Sequence, residues 1–160
     1  MRTFGVMLLC SALAACASKG NWQHNHISSG SAEFSSSRLS FTPPNSYNQI
    51  QLEILRTKEA SRGYLYVHSL PFSSYQDDKK IAPISILIGE ETLFFLAKRH
   101  EGGHRVLLSE EILHKILQAL ETGYEVTLST PGYKTTLNPD GFASQYKKFQ
   151  GEHFYVNILN

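Results

Sequence analysis

ISILI-GEE-TLFFL, residues 84–96, predicts two β-strands joined by a tight turn. Both arms are rich in branched and aromatic side chains, which are enriched in strands. The glycine and the two glutamates between them favour a turn. A lone hairpin is only marginally stable in water, so the segment indicates a larger antiparallel sheet.

Further strands are predicted on both sides of this hairpin. Residues 50–54 (IQLEI) alternate apolar and polar side chains with period two, which is typical of a half-buried strand. Similar short strands are predicted at residues 64–68, 124–128, 133–137 and 154–159. Pro131-Gly132 and Pro139-Asp140-Gly141 favour turns between the later ones.

One amphipathic helix is predicted at about residues 109–122. Ser109 can cap it, Glu110 and Glu111 lie in the first turn where the helix dipole favours acids, and Gly123 ends it. Its apolar stripe consists of Ile112, Leu113, Ile116, Leu117 and Leu120. Residues 142–149 are compatible with either a short helix or a strand.

These elements predict a mainly β (α+β) fold. We expect an antiparallel β-sandwich or a partly open barrel of about seven short strands, covered by the single helix. The globular domain is expected to span residues 49–160. The segment at residues 16–48 is rich in serine, and its apolar residues follow no sustained period, so it is interpreted as a flexible tether.

The first sixteen residues have the order of parts of a secretory signal. Arg2 is followed by an apolar run at residues 4–9 and then by Leu13-Ala14-Ala15-Cys16. Small side chains at Ala14 and Ala15 let a peptidase approach the backbone. The sequence therefore predicts a signal peptide at residues 1–15, cleaved between Ala15 and Cys16. An ordinary secretory signal, cleaved after Ala15 or Ala17, is the alternative.

Leu13-Ala14-Ala15-Cys16 resembles the lipobox of bacterial lipoproteins. The resemblance implies that Cys16 becomes an S-diacylglycerol cysteine and, after cleavage, an N-palmitoyl cysteine. Several acyl chains anchor a protein stably, whereas one does so only marginally. In that class an aspartate after the cysteine retains the protein in the inner membrane. Ala17 follows here, so the expected location is the outer membrane, on either its periplasmic or its outward face.

Charge and cysteine content narrow the possible partners. The chain has 15 basic and 14 acidic residues, and removal of the signal takes away Arg2, which leaves a net charge of zero. Nucleic acids and anionic lipid surfaces attract clustered Lys and Arg, so neither is an expected partner. Cys10 leaves with the signal and Cys16 is used by lipid, so no disulfide is expected and stability must come from an apolar core.

His100-Glu101-Gly102-Gly103-His104 matches the zinc-protease pattern HExxH. On a helix the two histidines would bind zinc and Glu101 would activate a water molecule. Two adjacent glycines disfavour a helix by about 1 kcal/mol each relative to alanine. Between two apolar strands they favour a hairpin turn, which is the prediction here. A zinc-dependent hydrolase, with a third ligand from Glu121, Glu125 or His114, is the alternative.

Four aromatic residues form the candidate binding face: Tyr64, Tyr66, Phe72 and Tyr75. Aromatic side chains with a polar tip are favoured both at half-buried sheet faces and at interfaces. Packing within the sheet or core is the default role expected for these residues, and a binding surface is the other possibility.

The order of elements in residues 109–149 resembles the later half of small secreted β-sandwich proteins of the invasion-associated-B type. The pattern consists of the helix, GYEVTL at residues 123–128, a hairpin, and the spacing of Phe142, Tyr146 and Phe149. This resemblance implies a secreted β-sandwich fold.

The expected function is that of a lipid-anchored binding or accessory module of the outer membrane. No cofactor is expected, and the partner is an envelope protein or an apolar ligand. The alternatives are the zinc-dependent hydrolase of His100, Glu101 and His104, or a surface-exposed antigen or adhesin.

Overall fold

The computed structural model describes residues 19–27 and 35–151. In these two segments nine strands and two helices form one layered domain. The elements are β1 (Asn21–Ile27), β2 (Ser36–Thr42), β3 (Gln51–Arg56), β4 (Ser61–Tyr66), β5 (Ile81–Ile88), β6 (Glu91–Arg99), β7 (Arg105–Leu107), α1 (Glu110–Glu121), β8 (Val126–Thr130), β9 (Tyr133–Leu137) and α2 (Phe142–Gly151). The signal peptide, Cys16 and the strand predicted at residues 154–159 lie outside the described residues.

The strands form a single curled sheet, a half-barrel with the order β1-β2-β3-β4-β7-β6-β5-β8-β9. Every neighbouring pair is antiparallel. The mainly β, antiparallel prediction is therefore confirmed. The sheet has nine strands in the described segments rather than about seven. It is one curled layer, so of the two expected architectures the half-barrel matches the partly open barrel and not the sandwich.

The hairpin of residues 84–96 is confirmed and extends further than its apolar core. β5 and β6 pair over their whole length, from Ile81 opposite Lys98 to Ile88 opposite Glu91. Ile84 and Ile86 are buried on the inner side of the sheet, together with Ala82. This hairpin therefore lies inside the sheet, with β7 next to β6 and β8 next to β5.

The predicted tether is wrong for most of its length, because β1 and β2 lie inside residues 16–48. Both strands belong to the sheet, and β2 pairs with β3 through Leu39 opposite Ile54 and Phe41 opposite Leu52. Trp22, Leu39 and Phe41 are buried. Trp22 is surrounded by polar residues in β1, and Leu39 and Phe41 lie next to Ser40 in β2, so the local hydrophobic pattern of both strands is weak.

Helix α1 matches its prediction. Ser109 is the N-cap and its side chain accepts a hydrogen bond from the Ile112 amide at 3.4 Å. Its buried stripe packs on the inner side of the sheet. Gly63 of β4 permits a close approach, since a Cβ atom there would lie 2.8 Å from a methyl carbon of Leu113.

Residues 142–149, for which the sequence allowed a helix or a strand, form a helix. Phe142 and Phe149 of α2 are buried, and the Phe142 ring lies 4.8 Å from that of Trp22. The helix therefore closes the inner side of the sheet over β1 and β2. Of the described helices, neither has the length and hydrophobicity needed to cross a membrane.

Side chains link the two edges of the half-barrel. Trp22 of β1 donates its indole N–H to the carbonyl of Asn138, just after β9, at 2.7 Å. The Ile50 amide, just before β3, also donates to the Thr135 hydroxyl of β9 at 2.6 Å. We call the space between β1 and β9 the seam; among the described residues it is bridged by individual contacts and not by a strand ladder.

Candidate binding surfaces

The outer side of β5 and β6 carries an exposed apolar surface. Phe94 is 63% exposed, Leu96 is 45% exposed and Leu87 is 39% exposed. We call these three residues the outer patch. Phe95 and Leu93 of the same strand pack against the core from the inner side. TLFFL is thus apolar on both faces of the sheet, and residues 19–27 and 35–151 cover only one of those faces.

The three residues of the outer patch are neighbours on one face. Phe94 and Leu96 are two positions apart on β6, so their side chains project to the same side. Leu87 lies opposite Thr92, which places it diagonally from Phe94. Phe94 and Leu96 lie opposite Ser85 and Pro83. Because these two neighbours are small, the side chains of Phe94 and Leu96 extend beyond them into solvent.

Tyr75 extends the outer patch from the loop before β5. Its ring centroid lies 6.5 Å from that of Phe94. The loop is held in place because the Tyr75 amide donates to the Ile81 carbonyl at 2.9 Å. Tyr75 of the predicted binding face therefore borders an exposed surface.

The other three residues of the predicted binding face lie elsewhere. Phe72 is only 1% exposed and packs near Tyr133, with 6.3 Å between ring centroids. It is a core residue, which is the default role expected for it, and it is not part of a binding face. Tyr64 and Tyr66 lie on the outer side of β4, and Tyr64 is itself buried.

Tyr64 and Tyr66 are covered by an arginine that the sequence analysis did not single out. The Arg105 guanidinium lies 3.6 Å from the Tyr64 ring centroid and 5.4 Å from that of Tyr66. Arg105 also pairs with Glu53 at 3.1 Å, and Arg38 lies 3.6 Å from the same carboxylate. β7 is separated from β4 by β5, β6 and their connections, so no local signal could have indicated that Arg105 joins this cluster. Its aromatic faces are occupied internally rather than offered to a ligand.

The HEGGH segment forms the hairpin turn predicted for it. β6 ends at Arg99, β7 begins at Arg105, and the two strands pair antiparallel. The His100 amide donates to the Arg105 carbonyl at 2.8 Å, and the Gly103 amide donates to the His100 carbonyl at 2.9 Å. The two histidines therefore lie at opposite ends of a turn instead of one helical turn apart.

Both histidine side chains of the turn have protein partners. His104 Nδ1 lies 3.2 Å from the Val67 carbonyl, and the His100 ring packs edge-on to Tyr64 at 5.6 Å. Glu101 is exposed. Within residues 19–27 and 35–151, no three His, Cys, Asp or Glu side chains are grouped so that they could hold a metal ion. The geometry required for HExxH chemistry is therefore lacking in this part of the chain.

A second apolar feature is a groove between α1 and the turn end of the β5–β6 hairpin. It has a volume of about 340 Å³ and is lined by Ile88, Leu93, Ala119 and Tyr124. Lys115 and Glu91 border it. The groove depends on how α1 lies across the sheet, which the sequence pattern of either element does not reveal.

Comparisons of the chain with protein-family models, with curated proteins and with solved structures find no match.

Proposed function

We propose that this chain is a lipid-anchored accessory protein of the bacterial outer membrane, which binds an envelope protein through the outer patch. The observation that supports binding is the contiguous exposure of Leu87, Phe94 and Leu96 on a regular strand pair. The observation that supports the anchor is Leu13-Ala14-Ala15-Cys16 at the end of a signal-like segment.

The chemistry of the outer patch favours a protein over a small ligand. Scattered exposed apolar side chains are ordinary, but contiguous ones on a rigid element mark interaction sites. Small molecules prefer concave sites that bury most of their surface, and this face is the outside of a sheet. Full burial of one Leu or Phe side chain contributes about 1.5–3 kcal/mol. Three such side chains suit the centre of a protein–protein interface.

The surroundings of the outer patch have the composition of an interface rim. Thr92 and Lys98 are exposed on the same face of β6. Thr127 and Ser129 continue that face on β8. A polar border around an apolar centre is the usual anatomy of specific, non-obligate interfaces.

A lipid anchor makes a modest interface sufficient. Confinement to one membrane raises the effective concentration of two anchored or membrane-embedded partners without any new contact. An accessory factor can therefore bind and release its partner, which fits a patch of three exposed side chains.

The test is site-specific photo-crosslinking in intact cells that express the full-length chain. A photoreactive side chain at position 94 is expected to give one discrete crosslinked envelope protein. The same group at position 70, an exposed leucine outside the patch, is the matched control and is expected to give none. The captured protein, once purified, should bind the wild-type domain and bind Phe94→Ser at least several-fold more weakly. Equal binding of the two forms would overturn the proposal.

The two alternatives predict other results. An outward-facing antigen or adhesin would be cleaved by protease added to intact cells and would give no periplasmic crosslink. An apolar ligand would occupy the groove near Ala119, and Phe94→Ser would leave its binding unchanged.

A further inference from the structure

The proposed anchor lies very close in sequence to the folded domain. Cys16 precedes Lys19, the first described residue, by three positions. Even a fully extended chain spans at most about 3.6 Å per residue, so Cys16 lies within about 11 Å of Lys19. The expected tether of about thirty residues would have allowed the domain to stand well clear of the membrane. The folding of β1 and β2 removes most of that length.

The point at which the anchor leaves the domain is fixed on the surface. Lys19 Nζ lies 2.8 Å from an Asp140 carboxylate oxygen, and this contact raises the pKa of Lys19 above its ordinary value. Gly20 packs against the Phe41 ring so closely that a Cβ atom would collide with it. β1 then begins at Asn21. The anchored end is therefore held at the seam.

One exposed loop lies beside this point. Pro44 and Gln49, in the connection between β2 and β3, line the same cavity of about 390 Å³ as Lys19. The connection is ordered by hydrogen bonds from the Asn45 amide to the Gln49 side chain at 3.0 Å and from the Asn48 amide to the Asn45 carbonyl at 3.2 Å. Tyr47 lies in this loop and is 64% exposed. We call residues 43–49 the seam loop.

We infer that the seam loop rests on the lipid headgroups of the membrane that holds Cys16, with Tyr47 inserted at the interface. This inference rests on the lipid anchor of the proposed function. Tyrosine favours the membrane–water interface because its ring is apolar and its hydroxyl is polar. Lys19 is paired with Asp140, so the contact needs no anionic lipid. The domain is thereby oriented on the membrane instead of swinging from a long tether.

The opposite rim of the domain provides an internal reference. β3 starts next to the seam loop and ends at Arg56, just before the turn that contains Lys58. Six strand residues span about 20 Å. Lys58 is exposed at the far end of that strand, so it should lie well away from the headgroups.

The test uses single-cysteine labelling of the full-length lipoprotein in zwitterionic vesicles. The only natural cysteines are Cys10 and Cys16, so an introduced cysteine is the only free thiol of the mature lipidated chain. A fluorophore on Tyr47→Cys should be quenched several-fold more strongly by headgroup-attached spin labels than one on Lys58→Cys. Both positions are exposed, and the fluorescence of Trp22, the only tryptophan, confirms that each variant is folded.

The outcomes separate the orientation from the anchor. If both labelled variants float with the vesicles but are quenched equally, the orientation alone would be overturned. If the mass of the protein shows that Cys16 carries no lipid, and the protein does not float with the vesicles, the anchor would be overturned. The orientation would then be overturned as well. Stronger quenching at position 58 would place the opposite rim on the membrane and also contradict the inference.

Discussion

The Arg105 guanidinium lies 3.6 Å from the centre of the Tyr64 ring, at the narrowest part of the sheet. β7 has three residues and is the only strand in the described segments that joins β1–β4 to the rest of the half-barrel. It pairs with β4 at three positions and with β6 at two. Side-chain contacts therefore supplement a short ladder where the two parts of the sheet meet.

Arg105→Ala is expected to lower the free energy of unfolding by about 1–2 kcal/mol, because it removes a partly desolvated cation–π contact and a charged hydrogen bond to Glu53. Arg105→Lys should restore only part of this, since an ammonium cannot stack on the ring and reach Glu53 as a planar group does. Urea denaturation followed by circular dichroism measures the change. Arg62→Ala, at an exposed arginine of β4, is the control. Equal losses at the two positions would contradict the structural role of Arg105.

Trp22 tests whether the segment before residue 49 belongs to the domain. Trp22→Ala is expected to cost about 3–5 kcal/mol, because a large buried ring is deleted next to Phe41 and Phe142. Trp22→Phe should cost less, since it keeps a ring and loses mainly the hydrogen bond to Asn138. Thermal unfolding by circular dichroism distinguishes them, with the exposed Gln23→Ala as control. A tether would tolerate all three changes.

The structure follows the sequence pattern most closely where local signals suffice. The β5–β6 hairpin and helix α1 each carry their own periodicity, turn residues and cap. β1 and β2 do not, because Trp22 is the only large apolar residue in the first half of β1, and Ser40 separates Leu39 from Phe41 in β2. Ser37 is buried and hydrogen-bonds to His24 across the strand pair at 2.8 Å. Such a partner is visible only once the register is known.

The outer patch could not be predicted from the sequence, for a different reason. Phe94 and Leu96 were assigned correctly to a strand, but a strand apolar on both sides implies either burial on both sides or an exposed patch. The sequence alone does not distinguish these cases, because nothing in it shows that both helices cover the same side of the sheet. Phe72 is the opposite case: its polar neighbours in the sequence favour an exposed loop, yet its ring is buried.

Tyr146 predicts a loss of stability at alkaline pH. Burial beside Phe142 and Phe149 raises its pKa, Glu121 adds to the effect, and Gln150 and Arg56 oppose it. The folded state therefore holds the phenol proton more tightly than the unfolded state does. The resulting stability is present below the unfolded pKa of about 10 and is lost as the pH rises through the folded value.

The check is the free energy of unfolding measured between neutral pH and the alkaline range. Its decline should be shallower in Tyr146→Phe than in the wild type, with Tyr47→Phe, at an exposed tyrosine, as the matched control. Lys19, whose pKa is raised by Asp140, contributes a decline of the same sign, so some pH dependence should persist in Tyr146→Phe. An unchanged slope in Tyr146→Phe would contradict the effect of burial.

The HEGGH turn predicts that the protein holds no stoichiometric zinc when purified without chelator. His100 and His104 lie at opposite ends of the turn, and the required helix is not formed there. Metal analysis of wild type and His100→Ala should give the same low zinc content. One zinc ion per chain that disappears in His100→Ala would contradict this prediction and revive the hydrolase alternative.

Alanine substitutions at two adjacent glycines of that turn can distinguish the effect of backbone strain on stability from the effect of steric crowding. Gly102 and Gly103 both have positive φ angles, 78° and 71°, so alanine is strained at either position. A Cβ atom at Gly102 would meet nothing within 4 Å. At Gly103 it would collide with the Arg99 guanidinium and lie 3.1 Å from Pro71 Cβ. The Gly103 carbonyl also accepts a hydrogen bond from the amide of buried Phe72 at 2.8 Å.

Gly102→Ala is therefore expected to lower the free energy of unfolding by about 1–2 kcal/mol, because of its positive φ angle alone. Gly103→Ala should cost more, because Pro71 must move and the Phe72 contact is tied to it. Urea denaturation of the two variants gives the difference directly, and each serves as the other's control for strain. Equal costs would mean that the turn and the 67–72 segment are not packed as described. A larger cost at Gly103 would show that this glycine is required for close packing of the turn as well as for its backbone angle.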